Sequence, residues 1–187
     1  MFRELFLRFL AFIMDTIQTI VMALALFVLF YFFIGQPSQV KGSSMDPFLY
    51  NNELLITDKV SYRFREPKPG EIVVFKSPGN KEIDYIKRIV ALPGERVKVS
   101  NGRIYVNGQM LKEPYLSPEV YTRPDSFLAE DIEIAVPEGM LFVVGDNRPG
   151  SRDSRNFGPI PEEDVIGRAV LRYWPLNRIG LLPEQTP

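Results

Sequence analysis

The stretch Ile83-Asp84-Tyr85-Ile86-Lys87-Arg88-Ile89-Val90-Ala91 decides how this chain is read. Its β-branched and aromatic residues, uninterrupted by glycine or proline, predict a strand. Side chains alternate across a strand, so Ile83, Tyr85, Lys87, Ile89 and Ala91 share one face, and Asp84, Ile86, Arg88 and Val90 the other. Lys87 is the single charge on its face. Two outcomes are open to it. Its ammonium can snorkel to water at the sheet margin, or burial can disfavour the ammonium, lower its pKa and turn it into a general base.

Similar short runs surround this one. Residues 53–59, 71–76, 96–100, 103–106, 131–136, 140–144 and 165–173 are rich in Val, Ile, Tyr and Phe and lie between turn signals. Asn101-Gly102, between VKVS and RIYV, predicts a tight hairpin, and Asn107-Gly108 extends it into a small meander. No long segment of helical period occurs in this part of the chain, so the fold class is mainly β with antiparallel pairing. Residues 112–130 carry prolines and charges and read as a long surface excursion.

The N-terminal part differs. From Thr16 to Val40 no residue is charged, and Ile20 to Ile34 (IVMALALFVLFYFFI) is apolar throughout. Thr16 to Ile34 would rise roughly 28 Å as a helix, close to the ~30 Å hydrocarbon thickness. Gly35 and Pro37 are expected to stop it. A cleaved leader fits less well, because the run exceeds the ~7–15 residues of its apolar region and no small-x-small site follows. A buried soluble helix would need a polar face that this run lacks. The expected organisation is a cytoplasmic segment 1–14, a transmembrane anchor 15–35 and an extracytoplasmic β-rich domain 36–187. Arg3 and Arg8 before the span, against Lys41 close behind it, give that orientation.

Lysine plus arginine number 22 against 23 aspartate plus glutamate, a net charge of -1, so no nucleic-acid-binding surface is indicated. The chain contains no histidine and no cysteine. That excludes a Ser-His-Asp triad, a Cys-His dyad, disulfides and zinc sites of the usual ligands. Acid–base chemistry must run on carboxylate, lysine or tyrosine.

Two further segments carry candidate chemistry beside Lys87. Gly42-Ser43-Ser44-Met45-Asp46-Pro47 reads as a small-residue linker, or as a tight turn presenting a serine whose own N–H helps stabilise an oxyanion. Gly145 to Arg155 (GDNRPGSRDSR) reads by itself as a polar turn with Asp153 and Arg155 paired at the surface.

Together, GSSMDP, GEIVVFKSP (70–78), DYIKRIVALPGE (84–95) and GDNRPGSRDSR, in this order behind an apolar anchor, resemble the type I signal peptidases. The resemblance implies a coiled, antiparallel β-sheet catalytic domain of the signal peptidase and repressor-protease type. It implies Ser44 as nucleophile, Lys87 as general base, and Ser151 as a hydroxyl that orients the lysine amine. Asp153 and Arg155 would form a structural ion pair with Arg88 nearby, and Gly145, Asp146 and Asn147 would be scaffold. Val40, Met45, Leu49, Tyr85 and Ile86 would line small substrate pockets. Gly42 stands where some members carry a serine whose hydroxyl completes the oxyanion hole, so backbone N–H groups must do more here. Phe48 stands where threonine is common.

No cofactor or metal is implied. The implied partners are exported preproteins with N-terminal signal peptides, cut after small-x-small sites, and the lipid bilayer, with Phe48, Tyr50 and Trp174 available to seat the domain on it. The implied location is a plasma membrane, with a thylakoid membrane also open. Two other readings remain: a noncatalytic membrane-anchored module that holds signal sequences, and a self-cleaving Ser-Lys regulator. The absent histidine closes the endoplasmic-reticulum branch, which resembles this family but uses histidine at the lysine position. An unperturbed lysine, with a pKa of about 10.4, is neutral only about once in a thousand at pH 7.5. Bringing it to about 8 takes ~3.3 kcal/mol, within what burial can supply.

Overall fold

The computed structural model of the protein describes residues 2–33 and 35–183. Helix α1 (Phe2–Phe33) is exposed along almost all of its described length. It starts far ahead of the expected anchor, because the segment before Thr16 is itself rich in Leu and Phe and continues the helix without a break. Its 32 residues would rise ~48 Å, more than the hydrocarbon thickness, so a part holding Arg3, Glu4 and Arg8 can project beyond it. This helix fits a membrane anchor. Ile34, the last residue of the apolar run, lies outside the described residues.

Gly35 does not merely end the helix. It opens strand β1 (Gly35–Gln39), which pairs antiparallel with β2 (Leu54–Asp58) from Gly35↔Asp58 to Gln39↔Leu54. Proline in a strand is tolerated where one side makes no ladder, and Pro37 sits on this edge. The polar sequence GQPSQ carries no strand signal of its own; its partner imposes the conformation.

The remaining strands are β3 (Ile72–Ser77), β4 (Asn80–Ala91), β5 (Arg96–Ser100), β6 (Arg103–Val106), β7 (Gln109–Met110), β8 (Glu133–Ala135), β9 (Met140–Val144), β10 (Ile160–Pro161), β11 (Val165–Trp174) and β12 (Gly180–Leu181). The large sheet runs β1-β2-β11-β3-β4-β9-β10, with β12 on β11, and the small sheet runs β7-β6-β5-β8. Every ladder between these strands is antiparallel. Both Asn-Gly turns form as read. Asn101 and Gly102 take φ of 49° and 73°, and Asn107 and Gly108 take 51° and 76°, the left-handed pair that a two-residue hairpin demands.

β3 and β9 are buried on both faces, which is why IVVF and MLFVV are continuous rather than alternating. Val73, Phe75, Leu141 and Val143 enter one core cluster with Ile89 and Ile160. Phe142 and Val144 enter another with Val97, Val99, Ile104 and Leu128, joining the small sheet to the large one. A third cluster, with Val40, Met45, Leu49, Leu55, Ile72 and Ala169, lies under the turn that follows β1. The first half of β4 has a free side, because its pairing with β9 begins only at Arg88↔Val144. β1 and this half of β4 therefore present two unpaired edges, and the alternating ladder between them makes the two strands run in the same direction.

Candidate active site

Ser44 stands on a turn stitched from several directions. Asp46 N–H donates to the Ser43 carbonyl at 3.1 Å and Leu49 N–H to the Met45 carbonyl at 2.9 Å. Asn147 reaches across with two donors, its N–H to the Ser44 carbonyl at 3.0 Å and its Nδ2 to the Ser43 carbonyl at 3.0 Å. Gly42 takes φ +87°, a left-handed conformation that favours glycine, and its N–H donates to Asn51 Oδ1 at 2.8 Å. The Ser44 N–H makes no hydrogen bond among the described residues.

Lys87 takes the buried alternative. It is 4% exposed, and its Nζ donates to Ser44 Oγ at 2.7 Å and to the Ile86 carbonyl at 2.9 Å. The Tyr85 ring, on the same strand face, lies 5.3 Å from Nζ. Burial lowers the amine from the ordinary 10.5 to about 8, against the smaller opposing pull of Asp153 and Asp146.

A groove of about 660 Å³ runs between the two free edges, lined by Gln36 to Ser44 on one side and by Glu82 to Lys87 on the other, with Gly150 and Arg152 beyond. Of the expected pocket residues, Val40, Tyr85 and Ile86 line it. Met45 and Leu49 do not. Both are fully buried in the cluster beneath the turn, where they set its height above the sheet. Phe48 is half-buried against the same cluster.

The block after β9 is buried scaffold rather than a surface turn. Arg155 and Asp153, 3% and 0% exposed, pair through two bonds of 2.8 Å, and Asp153 Oδ2 also accepts the Gly145 N–H at 3.0 Å. Arg88 pairs not with these but with Asp146, Nε to Oδ1 at 2.9 Å and Nη2 to Oδ2 at 2.6 Å. It also donates to the Gly70 carbonyl at 2.8 Å and lies between the rings of Phe48 and Tyr115. Ser151 packs with the Ser44 carbonyl around Gly145 but does not bond the lysine: its buried Oγ has no hydrogen-bond partner among the described residues. Besides Ser44 Oγ, the Ile86 carbonyl is what accepts from Nζ.

Residues 112–130 are a strap and not only a surface excursion. Glu113 pairs with Arg148, Thr122 Oγ1 accepts from Arg148 Nη1 at 2.9 Å, and Leu128 is fully buried. Arg148 Nε in turn donates to the Gly145 carbonyl at 3.0 Å. Glu113, Tyr115 and Thr122 escaped the sequence reading because buried arginines far along the chain, not local pattern, recruit them.

Asp146→Asn would leave the buried Arg88 guanidinium without its counter-charge. Breaking such a pair typically costs about 3–5 kcal/mol, and the Gly70 carbonyl and the two rings place the expected loss at the lower end, measurable by urea unfolding. The same change removes one of the charges that raise the Lys87 pKa, so any lysine titration should move further down.

The family model described as "Signal peptidase, peptidase S26" matches residues 13–174. The chain belongs to the signal peptidase S26 family. It is 38% identical over 183 residues to the probable signal peptidase I-1 of Synechocystis, covering 94% of this chain and 89% of that one. It is 33% identical over 187 residues to signal peptidase IB of Staphylococcus aureus, covering 93% and 97%. The chloroplastic thylakoidal processing peptidase 1 of Arabidopsis thaliana is 37% identical over 169 residues, covering 84% of this chain and 47% of that one. A crystal structure of a signal peptidase I from Enterococcus faecalis is 34% identical and covers 56% of this chain and 97% of that one, with a TM-score of 0.47. This signal peptidase is thus a serine endopeptidase that removes signal peptides, and its apolar helix and relatives fit a membrane location.

Proposed function

We propose that Ser44 is the nucleophile and neutral Lys87 the general base. The observation that carries this is the 2.7 Å contact between Lys87 Nζ and Ser44 Oγ with the amine buried. Below about pH 8 the ammonium donates to Oγ. Once deprotonated, its lone pair faces the same oxygen and accepts the hydroxyl proton as Oγ attacks the scissile carbonyl. The ammonium so formed gives its proton to the leaving amine, and the acyl-enzyme remains. Water, deprotonated by the same amine, then releases the signal peptide and frees Ser44. The free Ser44 N–H supports a role as oxyanion donor, while the Gly42 N–H is already bonded to Asn51.

The substrate would lie extended in the groove, adding a strand to the edges of β1 and β4, with Val40, Tyr85 and Ile86 favouring small side chains. β1 leaves the anchor and runs toward Ser44, so a preprotein whose apolar segment sits in the same bilayer would enter in that direction. The residues before the cut then occupy the Gln36 and Glu82 end. This reading places the N-terminus of the enzyme in the cytoplasm and the β domain outside, on a plasma or thylakoid membrane. The full chain in detergent, given an intact preprotein with a small-x-small site, should release the mature protein in trans, and Ser44→Ala should release none. Self-cleavage without processing of the preprotein would overturn the reading.

A further inference from the structure

Arg152 lines the groove together with Gly150, on the block that Asn147 ties to the Ser43 and Ser44 carbonyls, and so belongs to its Ser44 end. It is exposed and makes no ion pair among the described residues. Its Nε is fixed by Asn156 Oδ1 at 3.0 Å, and Asn156 is itself held by donating to Asp125 Oδ1 at 3.1 Å and Ser126 Oγ at 2.9 Å. The guanidinium is thus anchored through a neutral amide, with both Nη groups left for a ligand. Lys41, exposed and likewise without an ion pair among the described residues, lines the same groove three residues before Ser44. At the other end Glu82 has no cationic partner among the described residues, while Asp84 is paired with Lys76 at 2.7 Å. Apart from Lys41, which lies on the side before the cut, the groove therefore carries the Glu82 carboxylate where the chain before the cut would lie and the Arg152 guanidinium past Ser44 and Lys87.

We propose that Arg152 selects for an acidic side chain at the first or second residue after the cut. This rests on the Ser44–Lys87 reading and on the direction of entry derived from β1. A carboxylate just downstream of the scissile bond would meet the two free Nη groups, whereas a lysine there would meet like charge. The contact lies at the rim, so its size should be that of an exposed ion pair, roughly three- to fivefold in kcat/KM.

The test uses the full chain in detergent and three otherwise identical peptides with a small-x-small site, carrying Asp, Asn or Lys at the first position after the cut and at the second in a parallel set. Asp should be cut fastest and Lys slowest in at least one set, with the gap shrinking in 0.5 M salt. Arg152→Ala should level the three, and Arg152→Glu should reverse the order. Equal rates for Asp, Asn and Lys in both sets, or a preference that survives Arg152→Ala, would overturn the proposal while leaving the dyad standing. Failure to cut any peptide would instead sink the underlying reading, and this proposal with it.

Discussion

Lys87→Met is expected to lower kcat by about 10²–10⁴ and, at the same time, to make the protein more stable at pH 7. The two effects share one cause. Lys87 is 4% exposed, and burial holds its pKa at about 8 against the ordinary 10.5. Below pH 8 both folded and unfolded chains carry the ammonium, and the folded chain bears the full cost of burying it. Between about 8 and 10.5 the unfolded chain binds more protons than the folded one, so stability rises with pH through that window. The gap corresponds to about 3 kcal/mol, so methionine, of similar length and uncharged, should recover on the order of 1–3 kcal/mol at pH 7. It should also flatten the rise between pH 8 and 10.5, as read by urea unfolding at several pH values. Lys87→Arg keeps the charge at every accessible pH and should be as inactive as methionine without the gain. A Lys87→Met enzyme that is inactive and less stable would mean that the lysine holds the fold rather than working against it.

Gly145→Ala should disable the site and weaken the fold with a single methyl. A Cβ at Gly145 would fall inside 3.0 Å of Ser151 Oγ, Ser151 Cβ and the Ser44 carbonyl oxygen. The last is backbone, already tied to the Asn147 N–H at 3.0 Å, and it belongs to Ser44 itself. Relief requires the Ser44 turn or the block after β9 to move, which would disturb the contact between Ser44 and Lys87. Misplacement on that scale costs about 10²-fold in kcat/KM, and overpacking adds about 1–3 kcal/mol of destabilisation. Adding Ser151→Gly removes two of the three clashes and should restore part of the stability, because only the Ser44 contact then remains. An alanine enzyme with full activity would mean that Ser44 is not held by this packing.

The local signals in the sequence were the ones that carried through. Strands 96–100, 103–106 and 140–144 fall where the pattern puts them, and the Asn-Gly turns do so because a left-handed residue pair is a property of two neighbours. What the sequence could not express was partnership at a distance. Lys87 had two outcomes, and the choice between them rests on Ser44, brought to it by the turn after β1. GQPSQ looked like a helix stop because its strand conformation is imposed by Leu54–Asp58. The Asp153–Arg155 pair read as superficial because nothing local reveals that the strap covers it, through Arg123 and Leu128. Met45 and Leu49 were expected at the substrate and instead lie buried beneath the Ser44 turn. The absent histidine excluded the usual base without naming another, and the buried lysine beside a serine supplies the candidate.

The most direct test of the account is the pH dependence of kcat/KM for the full chain on a small-x-small preprotein. The free enzyme's base sets the acidic limb. The rate should rise tenfold per pH step below a limb near pH 8, the value that burial gives the Lys87 amine, and level off above it. A limb near the ordinary lysine value of 10.5, or a Lys87→Arg enzyme that cleaves at the wild-type rate, would contradict a buried neutral lysine as the base.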